Sequence, residues 1–262
     1  MAAGTGPIER LIRRQSGPGS DDAPLSFALT YLDAEDFLRD CREELQTGRV
    51  FLSNQADGTS GAAVCLALSF PGLRAPITLD GTVDEVVRKK KGAMPGMAVA
   101  LSEKARTELD EVATQIAAHD PARVVRTVRV LLVEDNLHSA QLIEEGLHLA
   151  SRRNFDGKIA FHVPVAATTA DAVAFLDKKP IDALITDVYL GGSSGTDLIE
   201  RVRTDPALDD IPVIAISAGH DEHTRQAVMS AGANLFLQKP LRIRSLVKAI
   251  SEALELGAGD AG

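Results

Sequence analysis

Apolar residues in the second half of the chain form short runs that alternate with amphipathic stretches. The runs are apolar at nearly every position, as a strand buried on both faces of a parallel sheet must be. The stretches between them repeat their apolar residues at the period of an α-helix. The predicted strands are 128–133, 159–165, 183–186, 213–216 and 235–237, and the predicted helices are about 139–151, 169–178, 196–203, 222–231 and 243–255. This alternation predicts an α/β domain with a doubly wound parallel sheet, a (βα)5 fold.

The first half of the chain has shorter apolar runs that are separated by turn residues. Apolar segments at 49–53, 62–70 and 77–83 are joined by stretches that contain Gly, Pro, Asn and Ser. Short strands with such turns between them are typical of antiparallel sheets. The pattern predicts a small antiparallel β-barrel or sandwich over 25–101.

A helix is predicted directly after this sheet. Ser102 can cap the free amides of the first helical turn, and the helix ends before Pro121. Leu109, Val112 and Ile116 recur along one face. We expect this apolar stripe to pack the helix on the sheet, and the alternative is that it pairs two chains in a homodimer.

These patterns divide the 262 residues into two domains with short flanking segments. The first 24 residues mix Gly, Ser, Pro and charged side chains around one short apolar patch, which is typical of a flexible leader. The predicted order is a flexible leader at 1–24, the β-barrel at 25–101, a helix and linker at 102–126, the α/β domain at 127–257 and a tail at 258–262.

The composition is that of a globular protein, with 45% hydrophobic and 25% charged residues. A net charge of −9 disfavours nucleic acid and anionic lipid, so we expect no DNA partner. We also expect no membrane insertion, because no apolar run is long enough. Cys41 and Cys65 are far apart and lack zinc-site spacing, so we expect reduced thiols and a cytoplasmic protein. The one dense basic run, 88–92, is interpreted as a solvated hairpin loop.

Polar side chains follow the predicted strands of the α/β domain. The residues at these strand ends are Glu134 and Asp135 after the first strand, Asp187 after the third, Ser217 at the end of the fourth and Lys239 after the fifth. The carboxyl ends of parallel strands meet at one edge of a sheet, so we expect these side chains to lie close together. A simpler interpretation is that the acids cap helices and that the lysine is a surface charge.

Three carboxylates at one edge repel one another unless a cation lies between them. Mg²⁺ suits a site that offers a few carboxylate oxygens and that water and phosphate complete. Such a site is suited to phosphoryl transfer. One carboxylate attacks phosphorus, while the metal, Lys239 and the hydroxyl of Ser217 hold the phosphoryl oxygens.

Four stretches of the α/β domain resemble the receiver domain of bacterial two-component response regulators, whose fold is flavodoxin-like. They are Val-Leu-Leu-Val-Glu-Asp-Asn at 130–136, Asp-Ala-Leu-Ile-Thr-Asp-Val-Tyr-Leu at 182–190, Ile-Pro-Val-Ile-Ala-Ile-Ser-Ala at 211–218 and Gly-Ala-Asn-Leu-Phe-Leu-Gln-Lys-Pro at 232–240. The resemblance implies that Asp187 is the phosphoacceptor and that a sensor histidine kinase or phosphotransfer protein is the donor. It implies no enzymatic activity other than the domain's own phosphorylation and dephosphorylation.

The same resemblance gives roles to the neighbouring residues. The implied Mg²⁺ ligands are Glu134, directly or through water, Asp135, Asp187 and the backbone carbonyl of Tyr189. Ser217 and Phe236 correspond to the switch hydroxyl and the switch aromatic residue. Lys239 corresponds to the phosphate-binding lysine, and its bond to Pro240 is expected to be cis. Because phosphorylation adds nearly two negative charges, Ser217 is expected to move toward them and Phe236 to turn inward.

The chain departs from the family pattern at two places. The acidic pair is Glu-Asp in place of Asp-Asp, which the family tolerates. The loop after Asp187 contains Gly191 and Gly192, whereas the commoner form carries a Pro and ends Asp-Gly. We expect the two glycines to loosen this loop and to affect the rate of autodephosphorylation.

The first domain, over 26–116, resembles PilZ-type domains, which are small six-stranded barrels that in many cases bind cyclic di-GMP. The matching stretches are 44–52, 63–71, 81–83 and 94–101. Binding in that family depends on an RxxxR stretch and a (D/N)xSxxG turn, because arginines grip phosphates and the turn offers backbone amides. Here Arg39 and Arg42 are only three apart, Gln46 replaces the serine and Arg49 replaces the second glycine.

Because these phosphate-binding groups are missing, we expect no cyclic di-GMP binding and interpret the first domain as a protein-docking or output module. Two alternatives remain. The chain could be a cyclic di-GMP receptor that phosphorylation modulates, or a phosphate sink or shuttle without a regulated output. The sequence does not identify the downstream protein partner.

Overall fold

The computed structural model describes residues 10–15, 23–56, 58–88, 94–219 and 222–256. The chain divides into two compact units, Met1–Val125 and Arg126–Gly262. This division lies one residue from the predicted start of the α/β domain. The lysines of the predicted basic loop and the predicted tail at 258–262 lie outside the described residues.

The N-terminal unit consists of a curled sheet and two helices. Its elements are β1 (Arg10–Gln15), β2 (Leu25–Tyr31), α1 (Ala34–Glu43), a short 3-10 helix (Leu45–Thr47), β3 (Arg49–Ser53), β4 (Ala63–Ser69), β5 (Ile77–Val87), β6 (Gly96–Leu101) and α2 (Glu103–Ala117). The strands lie in the order β1-β2-β4-β5-β6-β3, and all neighbours are antiparallel except β2 and β4. Within the described residues no pairing joins β1 to β3, so the sheet is curled without being closed by strand pairing.

Strand β1 corrects the prediction of a flexible leader over 1–24. It pairs with β2 along its whole length, from Arg10 opposite Tyr31 to Gln15 opposite Ser26. Only Ile12 of this strand packs against the hydrophobic core. With so few apolar residues, β1 has no clear strand pattern in the sequence. The rest of the leader, 1–9 and 16–22, lies outside the described residues.

The two helices and the sheet enclose one hydrophobic core. The sequence pattern does not indicate α1, although Phe37 and Cys41 lie four residues apart and are both buried. Helix α2 begins as predicted, because the side chain of Ser102 accepts the N–H of Ala105 at 3.1 Å. The stripe of Leu109, Val112 and Ile116 is buried in the same core as the strands, so the expected packing of α2 on the sheet is confirmed.

The C-terminal unit is a five-stranded parallel sheet between two layers of helices. Its elements are β7 (Arg126–Val133), α3 (Leu137–Asn154), β8 (Ile159–His162), β9 (Val165–Ala166), α4 (Thr169–Leu176), β10 (Ala183–Asp187), β11 (Tyr189–Leu190), β12 (Ser193–Ser194), α5 (Gly195–Thr204), β13 (Val213–Ser217), α6 (Glu222–Ser230), β14 (Leu235–Gln238) and α7 (Ile243–Ala253). The sheet order is β14-β13-β10-β7-β8. Helices α3 and α7 pack on one face and α4, α5 and α6 on the other. The predicted doubly wound (βα)5 architecture is therefore confirmed.

One predicted strand differs in detail. The run at 159–165 divides at Pro164 into β8 and β9, and both pieces pair with β7. The main-chain carbonyl of Pro164 still accepts the N–H of Leu132, so the ladder continues across the break. Among the described residues, no helix is both long and apolar enough to span a membrane.

Candidate functional site

Three carboxylates meet at the carboxyl edge of the parallel sheet. Glu134 and Asp135 directly follow β7, and Asp187 is the last residue of the neighbouring strand β10. Each offers an oxygen atom, and these atoms lie within 4.8 Å of one another. Glu134 and Asp187 are 3% and 7% exposed, whereas Asp135 is exposed. The predicted convergence of these three residues is present in the structure.

Lys239 lies against two of the carboxylates. Its Nζ atom donates to Asp187 Oδ2 at 2.5 Å and to Glu134 Oε2 at 2.7 Å. Burial disfavours the charged amine, but the hydrogen bonds and the negative charges of Asp187 and Glu134 outweigh it and raise the pKa of Lys239. The lysine therefore stays protonated and neutralises part of the cluster. Its peptide bond to Pro240 is cis, as expected.

The simpler interpretation, that the acids are helix caps, does not fit the structure. The residue that caps α3 is Asn136, whose side chain accepts the N–H of Ser139 at 2.9 Å. Asp135 instead accepts the N–H of Gly191 at 2.8 Å, across the sheet edge from its own helix. The carboxylate of Asp135 is therefore directed to the loop that follows β10.

That loop is a short hairpin made of β11 and β12, with Gly191 and Gly192 at its turn. The N–H of Tyr189 donates to Asp187 Oδ1 at 2.9 Å, and the Tyr189 hydroxyl lies 3.0 Å from Thr224 Oγ1 on α6. Backbone pairing and these contacts constrain the loop that the two glycines were expected to loosen. The contact with Thr224 could not be predicted, since nothing in the sequence spacing places α6 beside Tyr189.

The end of the hairpin is constrained by a close backbone approach. A β-carbon at Gly195 would lie 2.0 Å from the main-chain oxygen of Asp187, which is far closer than atoms can pack. Gly195 also donates its N–H to the carbonyl of Val188 at 3.1 Å. Glycine is required here so that α5 can begin directly beside the end of β10.

The two residues that correspond to a switch pair lie on the neighbouring strands. Ser217 ends β13, is fully buried, and accepts the N–H of Gly219 at 3.0 Å through its side-chain oxygen. Phe236 lies on β14 opposite Ala215, half-buried against the core beneath α4, α5 and α6. Phe236 is therefore partly open to solvent, while Ser217 already has a polar neighbour.

Three arginines of the N-terminal unit, Arg10, Arg39 and Arg49, pair with acids. Arg39 pairs with Asp36 at 2.7 Å on α1. Arg49 pairs with Asp84 at 3.0 Å and Glu85 at 2.8 Å. The turn before β3 presents a carboxylate where the PilZ motif has Asp or Asn: Glu44 accepts the N–H of Phe51 at 2.6 Å, and a second oxygen of Glu44 pairs with the Arg10 guanidinium at 2.8 Å.

The C-terminal fold and its site together define a class of protein. A doubly wound parallel sheet that carries three carboxylates and a lysine at its carboxyl edge is the arrangement expected of a receiver domain. The family description "Response regulator receiver domain" matches residues 130–251. This part of the chain belongs to the response regulator receiver family.

The chain is also similar to several known proteins. The chain is 37% identical over 86 residues to the cyclic di-GMP phosphodiesterase response regulator RpfG of Xanthomonas campestris pv. campestris, covering 33% of this chain and 23% of RpfG. It is 33% identical over 128 residues to the regulatory protein VirG of Agrobacterium tumefaciens, covering 48% of this chain and 43% of VirG. A crystal structure of a candidate response regulator from Chloroflexus aurantiacus is 31% identical, with a TM-score of 0.45, and the match covers 50% of this chain and 99% of that one. The chain thus spans less than half the length of RpfG and of VirG.

Proposed function

We propose that this chain is a response regulator that accepts a phosphoryl group on Asp187. The observation that carries the proposal is the environment of this carboxylate, which is buried and receives one donor on each oxygen. Lys239 donates to Oδ2 and the N–H of Tyr189 donates to Oδ1. These two donors fix the orientation of the carboxylate, which keeps further lone pairs that can attack phosphorus.

The phosphoryl donor would be a phosphohistidine on a sensor histidine kinase or phosphotransfer protein. A carboxylate oxygen of Asp187 attacks phosphorus, the new O–P bond forms, the P–N bond of the donor breaks and the imidazole leaves. Lys239 lies within hydrogen-bond distance of the attacking group, so its ammonium can transfer its hydrogen bonds to the phosphoryl oxygens. Ser217, on the adjacent strand, supplies a hydroxyl donor.

The residues present fit a bound Mg²⁺ ion. The site offers hard oxygen ligands and, even with Lys239, carries a net negative charge, which is the environment that Mg²⁺ prefers. Glu134, Asp135, Asp187 and the backbone carbonyl of Tyr189 would hold it. When bound, the ion supplies positive charge that offsets the negative charge of the incoming phosphoryl group.

Beryllofluoride, a phosphate mimic, tests this site and its switch together. In the presence of MgCl₂ we expect it to shift the amide NMR signals of Ser217 and Phe236, because Ser217 turns toward the new charge and Phe236 moves inward. The Asp187→Asn chain should show no such shifts. An unchanged spectrum around both residues in the unsubstituted chain would contradict the proposed switch.

The N-terminal unit is proposed to be a PilZ-like docking or output module that does not bind nucleotide. Arg39, one of the two arginines of the RxxxR-like stretch, already has a carboxylate partner, and so does Arg49, which stands at the glycine position of the turn. Glu44 places a further negative charge at the turn. A dinucleotide would have to displace these ion pairs and approach an acidic side chain, both of which are unfavourable.

Isothermal titration with cyclic di-GMP checks this proposal. We expect no saturable heat at micromolar nucleotide, with or without beryllofluoride. Micromolar or tighter binding would support the alternative, a cyclic di-GMP receptor that phosphorylation modulates. A phosphate sink without output predicts that the proteins captured by the full chain do not change between the free and the beryllofluoride-bound state.

A further inference from the structure

Two backbone amides of the β11–β12 hairpin each hold one carboxylate of the acidic cluster. The N–H of Tyr189 donates to Asp187 Oδ1 at 2.9 Å, and the N–H of Gly191 donates to Asp135 Oδ2 at 2.8 Å. The first bond spans only two residues, but the second joins positions 56 residues apart. The hairpin therefore connects the end of β10 with the end of β7.

The residue type at position 191 makes the second bond possible. Proline, which the commoner form of this loop contains, has no N–H to donate. A side chain is also disfavoured here, because a β-carbon at Gly191 would lie 2.9 Å from Asp135 Oδ2. Glycine supplies the donor and leaves room for the carboxylate. The φ angle of Gly191 is not in the positive range, unlike that of Gly192 at +100°, so left-handed geometry does not explain this glycine.

Asp135 has more need of such a bond than the other two acids. Glu134 and Asp187 are buried and both accept from Lys239. Asp135 is exposed and lies beside two other negative charges, which favour rotation of its side chain toward water. A hydrogen bond to a charged acceptor restricts that rotation and offsets part of the repulsion, and the carboxylate keeps further lone pairs for another partner.

We propose that the Gly191 amide is a positioning group that holds the Asp135 carboxylate ready for a divalent cation. The proposal rests on the proposed function, because it takes the acidic cluster to be a Mg²⁺ site. On this proposal the hairpin is part of the cation site, because the cation binds an aspartate whose orientation the hairpin has already fixed. Loss of the N–H then lowers cation affinity even though no ligand has been removed.

The full-length chain with Gly191→Pro tests this role through Mg²⁺ affinity, measured by MgCl₂ titration and amide NMR. We expect the dissociation constant to rise about tenfold, the low end of the effect of losing one hydrogen bond to a charged group, because Asp135 is exposed. Leu190, the residue before position 191, is already in an extended strand, which is the conformation preferred before proline. Gly191→Ala adds a β-carbon at the same place, 2.9 Å from Asp135 Oδ2, but keeps the N–H, so its loss of affinity should be smaller than that of the proline variant.

The outcomes separate this inference from the proposed function. If the unsubstituted chain does not bind Mg²⁺, the proposed function fails. If it binds and a folded Gly191→Pro chain binds about as tightly, the cation site stands and the positioning role is wrong. If the proline variant does not fold, amide hydrogen exchange at Gly191 tests the positioning role instead. We expect protection in the unsubstituted chain that is lost in Asp135→Ala, and equal exchange in both would overturn the inference.

Discussion

Asp187→Asn is expected to abolish phosphorylation of this chain. An amide oxygen carries no full negative charge, so it cannot attack phosphorus as the carboxylate does. The side chain keeps its size, so the sheet and the neighbouring strand β13 should be undisturbed. Incubation with MgCl₂ and acetyl phosphate, followed by a phosphate-affinity gel, should show a retarded band for the unsubstituted chain and none for the variant.

Asp182→Asn is the matched control for this experiment. Asp182 directly precedes the other end of the same strand, and its carboxylate accepts the N–H of Arg129 at 2.6 Å, a bond that the asparagine oxygen can still accept. The net charge changes equally in both variants, but only the Asp187 variant should lose the retarded band. Retardation that persists in Asp187→Asn would place the acceptor elsewhere and would remove the basis of the proposed function.

Arg10→Met is expected to destabilise the N-terminal unit by about 3 kcal/mol, because it leaves a buried carboxylate without its cation. The Arg10 guanidinium pairs with Asp40, whose side chain is fully buried, and with Glu44 at 2.8 Å. It also donates to the carbonyl of Phe51 at 3.0 Å, which connects the two edge strands β1 and β3. Burial disfavours the charge of Arg10, but Asp40 and Glu44 outweigh it and raise its pKa. Urea denaturation of the full chain, monitored by circular dichroism, measures the loss in the free energy of unfolding.

Two further variants identify the cause of that loss. Arg13→Met changes an exposed arginine of the same strand and should alter stability by no more than about 0.5 kcal/mol. Adding Asp40→Leu to Arg10→Met removes the unpaired carboxylate and should recover part of the stability. If Arg10→Met unfolds at the same urea concentration as Arg13→Met, the buried pair contributes nothing measurable.

The parallel sheet and its acidic cluster could be predicted because each depends on a local signal. A strand covered on both faces must be apolar throughout, and chemistry at strand ends is brought together by the topology itself. Asp135 and Lys239 are more than a hundred positions apart in sequence, yet the order of strands alone places both at one edge.

Other features of the structure have no such local signal in the sequence. Strand β1 is mostly polar, because its edge position requires only Ile12 to face the core. The pairing of Arg10 with Asp40 depends on how far the sheet curls, which periodicity does not encode. The contact of Gly191 with Asp135 uses a backbone N–H, a group that every residue except proline carries, so residue type alone did not reveal it.

The two tyrosines of this chain have a practical consequence for spectroscopy. The chain has no tryptophan and two tyrosines, one in each unit. Tyr31 is buried and its hydroxyl donates to the carboxylate of Asp40 at 2.7 Å, an arrangement that quenches tyrosine fluorescence. Burial and, to a lesser extent, the nearby negative charge raise the pKa of Tyr31. Tyr189 is 57% exposed beside Asp187. Ultraviolet emission from the unlabelled protein should therefore come mainly from Tyr189, which makes the chain its own optical reporter of events at the acidic edge.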